Sequence, residues 1–149
     1  MSILNLDRSI AERIEVVINA AACLEAFINA VGQETVPHWK LYDKLNVEGK
    51  WQLCLTNAGS PELYDPGREP FQTLGKIIHF RNTWLHYGRP FDRVVTVQRN
   101  EVVTKTDATM DLPFVASLPD RLRELITQMC FVAHHPFPMW LYPSPGWDV

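Results

Sequence analysis

Lys76-Ile-Ile-His-Phe-Arg-Asn-Thr-Trp-Leu-His-Tyr-Gly-Arg-Pro90 reads as the second half of a helix that stops hard. Glycine just past a last turn, with proline soon after, is a common way for helices to end, and Gly88 and Pro90 supply both. Upstream, the apolar spacing carries the helix back to Phe71, a predicted span of 71–87. At about 100° per residue, Phe71, Leu74, Ile77, Ile78, Trp84 and Leu85 share a broad apolar face, with Arg81 in its middle. Gly75, His79, Asn82 and His86 line an adjacent strip. The end of this helix therefore carries an arginine, an amide and an imidazole beside packed surface.

The same periodicity recurs on both sides. Residues 8–31 are predicted as a helix that opens on a capping-box spacing, Ser9 with Glu12, and ends at Gly32. Ile10, Ile14, Val17, Ala21, Leu24, Ile28 and Val31 form one stripe; Val16, Ala20, Cys23, Phe27 and Ala30 form a second beside it. So broad an apolar surface must be covered on two sides, which suits the central helix of a bundle or one that also faces a partner. Residues 33–46, with Trp39, Leu41, Tyr42 and Leu45, read as an irregular or one-turn connector. A second helix is predicted over 47–57, with Gly49 weakening its start. Residues 58–70 are the clearest loop.

Beyond Pro90 the pattern changes. The β-branched runs Arg93–Val97 and Glu101–Lys105 predict a short hairpin over 93–105. A last helix is predicted over 117–133, with Pro119 in its first turn, Asp120 at the capping-box position, and a stripe of Leu118, Leu122, Leu125, Met129 and Val132. The prolines at 136, 138, 143 and 145 rule out helix in the aromatic tail, 134–149. The expected fold class is mainly α. It is an up-and-down helical bundle of four to five helices in one domain over 1–149, with a short β-hairpin insertion and an irregular aromatic, proline-rich C-terminal tail.

Composition narrows the function. The chain has 149 residues, 46% of them hydrophobic, enough for a real core. No uninterrupted apolar run of about 18 residues occurs, which predicts no membrane span. The start lacks the basic and apolar regions of a signal peptide. Cys23, Cys54 and Cys130 are odd in number and far apart, and read as reduced core thiols. A cytoplasmic protein is expected. The net charge of −3 argues against a duplex-binding surface built on many phosphate contacts, and no DNA partner is expected. Yet residues 68–93 carry five basic and two acidic side chains, the one electropositive segment of the chain. That segment contains the Arg81 cluster and favours an anionic ligand there.

Arg81 and His86 are what metal-independent RNA cleavage needs. An imidazole titrates near neutral pH and can take or give a proton at the 2′-hydroxyl or the leaving 5′-oxygen. A guanidinium can stabilise a developing phosphorane through two-pronged hydrogen bonds. Asn82 can orient the imidazole or bond the phosphate. His79, Tyr87 and Arg89 are candidate RNA contacts, by phosphate grip or base stacking. One geometric problem stands out: five residues span about 140° around a regular helix, so one chain does not aim both groups at one phosphate. A loosened helix end or a second copy of the helix across a two-fold axis would resolve it. Gly75 would let two such helices approach closely.

Arg81-Asn82-Thr83-Trp84-Leu85-His86 resembles the R-polar-x3-H signature of HEPN domains, which lies at the end of the third helix of an all-α bundle. Leu24–Gly32 is similar to the end of that family's first helix, Val47–Trp51 to the start of its second, and Phe71–Ile78 to the lead-in of its third. The resemblance covers residues 8–90 and extends to the helix at 117–133. It implies a ribonuclease without metal or other cofactor, of the kind found among toxins, defence effectors and RNA-processing enzymes. It also implies a homodimer whose paired motifs form one composite site and leave a 2′,3′-cyclic phosphate. Arg81 and His86 would be catalytic, with Asn82 the polar residue of the motif. RNA would be the substrate, and an antitoxin or other protein could mask the site. The hairpin and the tail lie outside the family's minimal core.

Plainer readings compete. Arg81 can pack its stem and meet a carboxylate such as Glu25 or a C-terminal carbonyl. His86 can be a cation favoured by the helix C-terminus. His134 and His135 lack a companion ligand set for a metal. Some HEPN-like proteins serve as non-catalytic dimerisation or protein-binding modules, which is the alternative function.

Overall fold

Helix α1, Ile3–Thr35, is the element against which the others pack. It belongs to a computed structural model that describes residues 3–85 and 111–138. Those residues are mainly helical and bundle-like, with α2 at Val47–Asn57, α3 at Phe71–Leu85 and α4 at Leu112–Ala133. Two short 3-10 turns, Trp39–Tyr42 and Pro61–Leu63, complete the regular structure, and no strand occurs among the described residues. The predicted hairpin over 93–105, the Gly88–Pro90 stop and the tail beyond Pro138 lie outside the described residues.

The first predicted stripe of α1 forms the centre of the core. Val17, Ala21, Leu24, Ile28 and Val31 are fully buried against α2, α3 and α4. The second stripe divides: Ala20 and Phe27 are buried, while Val16 is 43% exposed and Ala30 also faces outward. Charged and polar residues interrupt the apolar run, yet within the 27 residues of Ser9–Thr35 an 18-residue window of mean hydropathy 1.7 makes the helix long and apolar enough to cross a membrane, by length and composition. Length and composition alone do not separate a membrane span from a core helix. Here the segment lies as a core helix does, with its central stripe covered by protein.

Both predicted ends of α1 are also corrected. Ser9 lies inside the helix, where its carbonyl accepts from Arg13 Nε at 3.4 Å, so no capping box operates there. Gly32 does not terminate α1, which continues one turn to Thr35. It is instead the place where Trp39 comes down on the helix: a Cβ at position 32 would lie 2.4 Å from the indole ring. The chain uses this glycine for close approach, and Trp39 is buried as a result.

Helix α2 has the predicted bounds. Its start is secured by Asn46, whose Oδ1 accepts from Gly49 N at 2.7 Å. Trp51, Cys54 and Leu55 go into the core. Helix α3 buries Phe71, Leu74, Ile77, Ile78 and Phe80. Glu69 steadies its first turn, accepting from Thr73 Oγ1 at 2.7 Å and Thr73 N at 3.3 Å, and also lies 3.5 Å from Arg121 Nε of α4. Helix α4 starts before the predicted Ser117. Asp111 is its N-cap, accepting from Phe114 N at 2.8 Å, and Pro113 falls in the first turn. Pro119 therefore sits inside the helix, and Asp120 does not cap it. The α4 stripe packs as predicted, with Leu118, Leu125 and Met129 buried and Leu122 and Val132 against the core.

Candidate functional site

The third helix brings Arg81 to the surface of α1. Its guanidinium forms an ion pair with Glu25 through Nη1, and its Nε and Nη2 donate to Asn82 Oδ1 at 3.3 and 3.2 Å. The Arg81 side chain is 15% exposed and that of Glu25 39%. Apolar packing of the stem with a charge-paired head satisfies a long cation at a helix–helix seam. The packed-side placement read from the helical wheel holds, and Glu25 is the carboxylate named for it. One point is different. Arg81 and Asn82 do not stay on separate strips, because the guanidinium turns along its own helix and meets the neighbouring amide.

His79 and Asn82 are exposed. His79 contributes its carbonyl to Thr83 Oγ1 at 2.9 Å, a back-bond typical of helical threonine. Gly75 is half-buried, and the nearest side-chain atom to an added Cβ would be Glu48 Oε2 of α2 at 4.0 Å. Within this chain Gly75 thus faces α2. His86, Tyr87 and Arg89 lie outside the described residues. The structure therefore brings together Arg81, Asn82 and Glu25, and leaves His79 apart from them on the exposed side.

The other titratable groups divide by burial. The three thiols are free. Burial pushes all three above their ordinary range, Cys54 to about 12, so they are protonated, poorly nucleophilic core side chains. Tyr64 is raised by burial and by the nearby Glu48 carboxylate. The adjacent histidines diverge. His134 closes α4 in a left-handed conformation with its N–H on Cys130 O, while His135 packs edge-on to Phe27 and places Nδ1 2.8 Å from Glu34.

Sequence reasoning missed a second polar pair in the core. Lys50 of α2 is buried and donates to Asn29 Oδ1 of α1 at 2.9 Å. The signal was available: position 50 falls on the face of α2 that also carries Val47, Trp51 and Cys54, where a lysine is out of place.

Comparison with protein-family models, with curated proteins and with solved structures gives no match to this chain.

Proposed function

We propose that this protein is a HEPN-type endoribonuclease that cleaves RNA without a metal, at a composite site between two copies of the chain. The observation that carries the reading is the position of Arg81, in the last turns of α3, half-buried and already gripped by an amide and a carboxylate. A guanidinium held this way is pre-aimed and loses little freedom when a phosphate joins it. The mainly α fold with a central first helix also supports the reading, which takes the helices as an up-and-down bundle with the 93–105 hairpin inserted.

In this mechanism His86 removes the proton of a ribose 2′-hydroxyl, and the 2′-oxygen attacks the adjacent phosphorus. Arg81 stabilises the dianionic phosphorane as the P–O5′ bond breaks. A protonated His86, of either copy, donates the proton to the leaving 5′-oxygen, which gives a 2′,3′-cyclic phosphate and a 5′-hydroxyl. On a regular helix positions 81 and 86 would stand about 140° apart, so this reading needs either a loosened helix end or, as a composite site supplies, Arg81 of one subunit with His86 of the other. Asn82 holds Arg81 through Oδ1; His79, Tyr87 and Arg89 border the RNA path. A cytoplasmic toxin or defence effector, masked by an antitoxin, is the biological setting this chemistry fits.

The test is direct. His86→Ala should abolish cleavage of single-stranded RNA and transfer RNA while far-UV circular dichroism stays unchanged. Unchanged cleavage by that variant removes the proposal. A second reading is favoured by the Arg81–Glu25 pair itself: an arginine neutralised by a carboxylate is an ordinary structural seam, as in a non-catalytic dimerisation or protein-binding module. In that case the wild-type protein leaves RNA intact at high concentration.

A further inference from the structure

Lys50 is 5% exposed, more deeply buried than any other charged side chain among the described residues. An ammonium has three N–H donors and no acceptor. One donor reaches Asn29 Oδ1 at 2.9 Å, and the charge lies 5.9 Å from the centre of the Trp39 ring. No carboxylate among the described residues lies within ion-pairing distance of it. Buried lysines are ordinarily paired, because an isolated charge in a low-dielectric setting is costly. A neutral amide and an indole face compensate this one only in part.

The pair opens onto a groove of about 1010 Å³ between the end of α1, the Trp39–Tyr42 turn and the start of α2. Asn29 and Lys50 both line it. The amide orientation follows from chemistry: Nζ can only donate, so Oδ1 faces it and the amide NH2 is left as a second donor beside the ammonium. That NH2 donates to no described residue. Lys40 and His38 stand on the same groove, and His38 adopts the left-handed region, φ 58°, rare for a non-glycine residue. Two acids also border it. Glu34 lies 2.8 Å from His135 Nδ1 and Asp43 is exposed on the rim, and neither is within ion-pairing distance of Lys50.

We propose that this groove binds a phosphate-bearing small molecule, with Lys50 Nζ and the Asn29 amide donating to phosphate oxygens and Lys40 at the rim. The lining contains no arginine. The guanidinium fork matches carboxylate and phosphate alike, but a lysine also binds phosphate as a point charge, and with the Asn29 amide beside it two donors of this site can meet two of a phosphate's oxygens. The site is independent of the Arg81 chemistry and stands or falls apart from it.

The full chain is titrated calorimetrically with inorganic phosphate and, separately, with adenosine 5′-monophosphate. Saturable binding of at least one is expected, and Lys50→Met should weaken it at least about tenfold, the worth of one hydrogen bond to a charged group. Tighter binding of the nucleotide than of phosphate, lost in the variant, identifies an organic ester as the ligand; equal binding identifies free phosphate. Asn29→Asp gives a second arm that does not remove the lysine. The new carboxylate pairs with Lys50, so the melting temperature rises while anion affinity falls. Absence of saturable binding of either anion up to roughly 10 mM overturns the proposal. So does unchanged affinity in a folded Lys50→Met or Asn29→Asp protein.

Discussion

Gly32→Ala tests whether the glycine in α1 is there for its missing side chain. Judged as a helical residue alone, alanine should stabilise, by up to about 1 kcal/mol. The geometry reverses the sign. The new Cβ would lie 2.4 Å from Cη2 and Cζ3 of Trp39 and 2.5 Å from Cε3. Carbon atoms rest at about 3.5–4 Å, so the ring must move by more than an ångström. Trp39 is 8% exposed, with Tyr42 against it and Lys50 over its face, so that movement disturbs packing on two sides. Overpacking of this kind costs about 1–3 kcal/mol. Set against the propensity gain, the net loss should be about 1–2 kcal/mol, a drop in melting temperature of roughly 3–8 °C for a chain of this size. Urea midpoints followed by far-UV circular dichroism measure it. The decisive comparison repeats the change in a Trp39→Ala background, where the obstruction is gone and Gly32→Ala should become neutral or stabilising. A wild-type midpoint in the single variant, or an equal loss in both backgrounds, refutes the reasoning.

Glu25→Ala leaves Arg81 with Asn82 as its remaining described partner. Because the pair is part-buried, the loss should fall between the values for exposed and buried pairs, about 1–2 kcal/mol by chemical denaturation. The Cys54 thiol is held up to about 12 by burial. Its raised value means the unfolded chain loses this proton first, so the stabilisation is complete below about pH 9 and declines as pH rises toward 12. A Cys54→Ala variant should show a shallower fall in urea midpoint over that range than wild type; matching slopes would contradict the assignment. Native Cys54 should also alkylate far more slowly at pH 8 than the same thiol in urea, read by mass spectrometry.

Much of the fold was legible because burial imposes periodicity. The stripe Val17–Ala21–Leu24–Ile28–Val31 and the α4 stripe are in the core as their spacing required, and α2 has the predicted bounds. Ends were harder, since capping residues are common inside helices too. Ser9 with Glu12 mimicked a start within α1, and Pro119 mimicked a first turn that Asp111 and Pro113 supply. Gly32 looked like a terminator because a glycine that stops a helix and one that admits a ring are identical in sequence. At the candidate site, the packed side of Arg81 followed from the wheel, while the sequence left its head a carboxylate such as Glu25 or a C-terminal carbonyl, and Glu25 is the partner found. Its contact with Asn82 did not, because a long side chain can turn along its own helix. The Lys50–Asn29 pair joins positions 21 residues apart, and no local pattern announces such a partner.

The central place of α1 has a consequence for how the protein is made. Of the four helices this one leaves the ribosome before the others, and α4, which completes its cover, is made after them. Nearly 100 residues separate the end of α1 from the end of α4. At 5–20 residues per second, the apolar stripe of α1 waits roughly 5–20 s before its last covering helix exists. During that interval α2 and then α3 shield it in part. The nascent chain therefore carries an 18-residue window of mean hydropathy 1.7 in an unfinished state, the form in which chaperones engage growing polypeptides.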